Sequence, residues 1–294
     1  MYKNFIPIII IIILVIIAIV YIKHDTLYKP YKPVTKKYLK FINNITHLAE
    51  LPQDVIKTFV KTSDDQHLDT FYVRNRDSNK CIIYLHGNTG NISMRYDIVK
   101  FLHNYASVVI FDYRSFGRSS GNKHDLNSEK LNIDAMSIWL YVINILKYHP
   151  NDISIYGESL GCSVAIKLVA EITQKFDIHY HPHSLILVSP FFSLSSMIEY
   201  DADKLGIKYI GKMVSKFLGN EYQSQKMIPF VSYFTKIIVA HSQNDDIIPY
   251  SQGKKLYQII NETHPNVKFI DLMGTHNKLE LTDHYIYTLA DLFE

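Results

Sequence analysis

The chain has 294 residues, 47% hydrophobic and 20% charged, proportions that fit a globular protein and exclude a disordered or low-complexity one. Its 31 Lys and Arg against 28 Asp and Glu leave a formal net charge of +3, too mild a surplus for a nucleic-acid partner. Cys81 and Cys162 are the only cysteines; neither belongs to a metal spacing or a disulfide framework, so no metal and no cofactor is expected and both read as small core residues.

Residues 5–22, FIPIIIIIILVIIAIVYI, carry no charge and as a helix would measure about 27 Å, close to the hydrocarbon thickness of a bilayer. The run is longer than the apolar core of a secretory signal and no A-x-A-like site follows it, so residues 1–22 are read as a single-pass membrane anchor with the lipid bilayer as partner. Residues 23–50, with YKPYKP at 28–33, read as a basic juxtamembrane tether, either solvated or lying on anionic lipid. Lys3 alone precedes the span, whereas Lys23, Lys29, Lys32, Lys36, Lys37 and Lys40 follow it, which places the body on the cytosolic side. Glycosylation triplets at Asn44, Asn91 and Asn261 would matter only on the lumenal side.

From 51 to 294 the pattern is that of one domain, without a linker or repeat. Strands are predicted at 55–60, 68–73, 81–85, 108–112, 153–156, 185–188, 237–240 and 268–272. Several are short continuous apolar runs, as in strands buried on both faces of a parallel sheet. Helical periodicity occupies 93–104, 128–147, 160–173, 251–260 and 279–292. This alternation gives an α/β fold: a mostly parallel eight-stranded sheet with helices on both faces. Ligands of such sheets bind beyond the carboxyl ends of the strands, so the polar residues just after each strand are the functional candidates.

In chain order, the strand at 81–85 runs into HGNTGN, residues 86–91, a loop able to aim the backbone N–H of Asn88, or of Thr89 behind it, at a developing oxyanion. The strand at 153–156 runs into Gly157-Glu-Ser159-Leu-Gly161, where flanking glycines allow a sharp strand-to-helix turn that lifts the serine hydroxyl out of the core. The competing use of such a serine is to cap the next helix. Leu160, directly after it, offers a second oxyanion N–H. Residues 191–235 form a long insertion before the next strand, either a small lid with an acyl-binding wall or an ordinary crossover. The strand at 237–240 leads to Asp245 and Asp246, both placed to hold an imidazole. After the strand at 268–272, His276 is the candidate general base. Ser159, Asp245 or Asp246, and His276 occur in the chain order of α/β-hydrolases.

At these motifs the chain resembles single-pass, membrane-anchored α/β-hydrolase-domain proteins, the lipase and protein depalmitoylase-like group. The residues that carry the likeness are HGNTGN, Asp112-Tyr-Arg-Ser-Phe-Gly-Arg-Ser119, Gly157-Glu-Ser-Leu-Gly161, Ser189-Pro-Phe191, Asp245-x-x-Ile-Pro249 and Gly274-Thr-His276-Asn277, spanning about residues 80–280. The resemblance implies Ser159 as nucleophile, Asp245 rather than Asp246 as the acid, His276 as base, and Asp112 and Arg114 as structural supports. These three catalytic roles predict hydrolysis of carboxylic esters or thioesters through an acyl-enzyme, and a body anchored at a bilayer predicts lipid-like or acylated substrates there. Ser115 and Cys162 stand where the group usually has glycine. The alternatives are a catalytically inactive interaction protein of the same fold, or a serine peptidase.

Overall fold

The computed structural model describes residues 27–30, 55–218 and 221–294. The expected anchor at 1–22 and all but four residues of the expected tether lie outside these. Among the described residues no helix is long and apolar enough to cross a membrane.

Among the described residues nine strands form one sheet: β1 (Val55–Lys61), β2 (His67–Val73), β3 (Cys81–Leu85), β4 (Ser107–Phe111), β5 (Ile153–Glu158), β6 (Ser184–Val188), β7 (Lys236–Ser242), β8 (Val267–Thr275) and β9 (Lys278–Glu280). Their order is β9-β8-β7-β6-β5-β3-β4-β2-β1. The run from β8 to β4 is parallel, and β1, β2 and β9 pair antiparallel at the edges. The principal helices are α1 (Tyr96–His103), α2 (Ser128–Asn144), α3 (Leu160–Lys175), α4 (Leu194–Lys204), α5 (Lys208–Leu218), α6 (Ser224–Met227), α7 (Tyr250–Thr263) and α8 (Asp283–Phe293).

The apolar runs form central strands because alternate residues point to opposite faces and both faces are covered. In β3, Cys81, Ile83 and Leu85 enter a core shared with α2, α3 and α7, while Ile82 and Tyr84 enter a second core under α1 and α8. Strands β4, β6 and β7 divide in the same way: Val109 and Phe111, Leu185 and Leu187, Ile237 and Val239 belong to the first core, and their neighbours to the second. Truncating any of these buried aliphatics to Ala is expected to cost about 2–5 kcal/mol.

Two boundaries differ from the sequence expectation. The sheet has nine strands rather than eight, because residues 278–280 turn back on β8 as β9 instead of opening the last helix. Gly274 makes this hairpin possible: its φ is +81°, and a Cβ there would lie 2.1 Å from the Lys278 carbonyl oxygen. The final helix starts only at Asp283, where the Thr282 hydroxyl caps it. The second difference is at residues 27–30, inside the segment expected as a tether. Lys29 and Pro30 pair with Thr89 and Gly90, and Tyr28 is buried with its hydroxyl 2.6 Å from that of Tyr222.

Candidate active site

The turn between β5 and α3 is set by two glycines and one strained serine. Ser159 has φ +55° and ψ −119°, a region that L residues rarely occupy and that costs about 1–3 kcal/mol. A Cβ on Gly161 would lie 2.0 Å from the Leu85 carbonyl oxygen, and one on Gly157 would lie 2.7 Å from the Cys162 Cα. Helix α3 therefore passes directly over the end of β3, and only glycine fits either position. The Ser159 N–H donates to the Val188 carbonyl at 2.9 Å, fixing the turn to the neighbouring strand. The Ser159 side chain makes no capping bond to α3; its hydroxyl lies 3.1 Å from His276 Nε2.

His276 sits at the tip of the β8–β9 hairpin, and its Nδ1 lies 2.7 Å from Asp245 Oδ2. A carboxylate only accepts, so the imidazole proton resides on Nδ1 and Nε2 is left to accept from the serine hydroxyl. The Asp245 side chain is fully buried. Burial pushes its carboxyl pKa up, but bonds from His241, His276 and the Ile248 N–H outweigh this and hold it well below the ordinary carboxylate range. It stays charged and orients the ring. Asp246, equally placed by sequence, instead accepts the backbone N–H of His276 at 3.1 Å. Asp245 also caps its own turn: its other oxygen accepts from the N–H groups of Ile247 and Ile248.

The oxyanion candidates flank the same serine. Leu160 is the first residue of α3, so its N–H belongs to the donors that a helix start leaves without an intrahelical acceptor. The loop after β3 lies against the elbow, with the Cβ position of Gly87 3.4 Å from Ser159 Cβ. The Asn88 carbonyl accepts from the Lys29 N–H at 3.0 Å, which ties this loop to the N-terminal segment. Ser159, Leu160, Asn88 and His276 share the lining of one cavity of about 430 Å³, within the range of small-molecule sites. Phe191, Leu194, Met197, Ile247 and Ile248 form its apolar side.

Residues named as supports act at a distance from the serine. Arg114 makes paired bonds to Asp134 on α2 and to Asp64 in the β1–β2 turn. Asp112 accepts the Ile92 N–H at 2.8 Å just after the oxyanion loop, and burial raises its carboxyl pKa well above the usual value. Ser115 has φ +66°, which explains why glycine would suit it. Cys162 is buried and free, its Sγ 3.2 Å from the carbonyls of Gly157 and Val188.

Sequence reading assigned no role to three nearby residues. His241 stands behind Asp245, with Nε2 3.0 Å from the Ile248 carbonyl and 3.3 Å from Asp245 Oδ2; its place at the end of β7 was the available signal. Glu158 precedes the nucleophile and accepts from the Tyr84 hydroxyl. Arg95, at the start of α1, reaches the cavity beside Glu158. Glu158 occupies a variable position of the G-x-S-x-G motif, and no motif marks Arg95.

No family model matches the chain. An uncharacterized protein of Acanthamoeba polyphaga mimivirus is 55% identical over 293 residues, covering 100% of this chain and 99% of that protein. The lysophosphatidylserine lipase ABHD12 of Gallus gallus is 27% identical over 225 residues, 73% of this chain but only 56% of the lipase's own length. Among solved structures, an esterase of Pyrococcus furiosus superposes with a TM-score of 0.64 at 17% identity, over 90% of this chain and 96% of the esterase; at that identity the likeness is one of fold. The chain belongs to one family with the mimivirus protein, and the superposition, the strand order and the elbow together show the α/β-hydrolase fold.

Proposed function

We propose that the chain is a serine hydrolase that cleaves carboxylic esters or thioesters through an acyl-enzyme. The observation that carries this reading is the imidazole of His276 held between the Ser159 hydroxyl and the Asp245 carboxylate, at 3.1 and 2.7 Å. In this scheme Ser159 Oγ attacks the acyl carbon while His276 Nε2 takes its proton. The oxyanion that forms accepts from the N–H groups of Leu160 and Asn88. Collapse breaks the bond to the leaving alcohol or thiol, which leaves with the proton from His276, and water then repeats the sequence on the acyl-enzyme. Asp245 stays ionised throughout.

Lipid-like or acylated substrates are supported by the apolar side of the cavity and by the names of the relatives. Residues 1–22 are proposed as the membrane anchor, with the body on the cytosolic side. The insertion 191–235 is proposed as a small cap: Leu194 and Met197 of α4 face the cavity. At the α4–α5 corner Leu205 and Tyr209 are 74% and 88% exposed, a surface suited to the bilayer plane.

The test is a panel of ester and thioester substrates of increasing acyl length, given to the full-length chain in detergent. Turnover that rises with acyl length and vanishes in Ser159→Ala is expected. Turnover retained by Ser159→Ala would overturn the scheme.

A further inference from the structure

The apolar and polar sides of the cavity come from different parts of the chain. Most of the apolar side comes from the α4 region and the loop after β7, with Leu27 of the N-terminal segment, although Asp201 of α4 and Lys29 also line the cavity. The polar side comes from the oxyanion loop, the elbow and the first turn of α1, and there Arg95 is the residue whose bonding is incomplete. A guanidinium has five N–H donors in a fixed fork. In Arg95 one of them, on Nη2, meets an acceptor, the Thr89 carbonyl at 3.0 Å. Glu158 Oε1 is 3.9 Å from the same nitrogen, an ion-pair distance but not a hydrogen bond. Nε is shut off from solvent and has no acceptor. The side chain is 17% exposed and lines the cavity that holds Ser159 and His276.

A guanidinium that lines the cavity with no acceptor on Nη1 among the described residues and with Nη2 bonded only to the Thr89 carbonyl is matched by a carboxylate or phosphate, which takes two parallel N–H bonds at once. Resting on the ester-hydrolase reading, we infer that Arg95 is a specificity-determining residue that binds an anionic group in the leaving part of the substrate, while the acyl chain lies along Leu194 and Met197. Glu158, held by the Tyr84 hydroxyl and 3.9 Å from Arg95 Nη2, keeps the guanidinium charged and in place without taking its hydrogen bonds. The substrate class is then an amphiphile, an acyl ester whose alcohol carries a phosphate or carboxylate.

The test compares 1-decanoylglycerol with 1-decanoylglycerol 3-phosphate on the full-length chain in neutral detergent, with decyl phosphate binding measured alongside by calorimetry. The wild type is expected to favour the phosphate-bearing ester, and Arg95→Gln to lower the ratio of the two kcat/KM values about tenfold or more, mainly through KM, as loss of a charge-assisted bond requires. Arg95→Lys should keep part of the preference. An unchanged ratio, with both esters slowed alike, would overturn the inference and leave Arg95 as a brace for the oxyanion loop. If the wild type turns over neither ester, the hydrolase reading fails by itself and binding decides the subsite: tenfold weaker decyl phosphate binding by Arg95→Gln supports it, and equal binding overturns it. Inorganic phosphate competing as well as decyl phosphate would also overturn it, since the site would then serve the free ion.

Discussion

The turn around Ser159 and the corner between α4 and α5 lie on the same side of the sheet and are built in opposite ways. At the turn, every neighbour constrains the others: Gly161 touches the Leu85 carbonyl, Ser159 is bonded to Val188, and His276 is held from both ends. A strained backbone persists only where surrounding contacts over-determine it. At the corner, Gly206 meets nothing within 4 Å of its Cβ position and Leu205 projects into solvent. The lesson is a division of labour. On the proposed function, chemistry falls to the over-determined turn and choice of acyl chain to α4, whose residues can change without touching that turn.

The largest effect that could break this division is at the nucleophile. Ser159→Ala and His276→Ala should each lower kcat by about 10⁴ or more while leaving the melting temperature within a few degrees. A large fall in stability would mean that the turn and the chemistry are one structure. Next comes the choice between the carboxylates. Asp245→Asn is expected to lower kcat by about 10³–10⁴, because the imidazole loses its orienting acceptor. Asp246→Asn, which touches only the His276 backbone, should lower it by about tenfold at most, and steady-state kinetics on one ester separates the two.

Gly161→Ala tests the rigid side from the other direction. With no room beside the Leu85 carbonyl, it should destabilise the fold by about 3 kcal/mol or more, measurable as a shift in the urea midpoint. For the cap, Met197→Trp should change the preferred acyl length, moving kcat/KM for a long acyl ester about tenfold with much less change for an acetyl ester. Equal loss on both would show that the cap and the turn are coupled.

A separate check lies in the pH dependence of stability. Burial, helped by the Arg95 charge, pushes the His86 pKa down to about 3. The unfolded chain takes that proton near pH 6.5, so His86 contributes stability in full above about 6.5, and the contribution is lost as pH falls towards 3. Urea melts of His86→Gln should therefore decline less than those of the wild type across that window, and parallel curves would contradict the assignment.

Much of the rigid half was legible because its constraints are local. Gly157 and Gly161 record a close backbone approach, and continuous apolar runs such as 81–85 record two-sided burial. Long-range constraints left weaker marks. That Asp245 rather than Asp246 meets His276 depends on the turn of the 245–248 loop, and residue spacing alone left both open. The strand at 278–280 was read as helix because its alternation is too short to stand out beside the periodicity that follows. The pairing of Arg95 with Glu158 has no spacing signature, since the two meet only after α1 folds back across the end of β5. The packing of Tyr28 against Tyr222 joins residues 194 positions apart, and nothing in YKPYKP distinguishes a docked segment from a solvated one.

The central claim, that Ser159 is activated by His276, is tested most directly by labelling the full-length chain with a fluorophosphonate probe, alongside Ser159→Ala and His276→Ala. The expected result is labelling of the wild type that is lost in both variants. A folded wild-type protein that does not label would contradict the claim and make the chain an inactive member of its family, with the cavity over Ser159 serving to bind rather than to cleave.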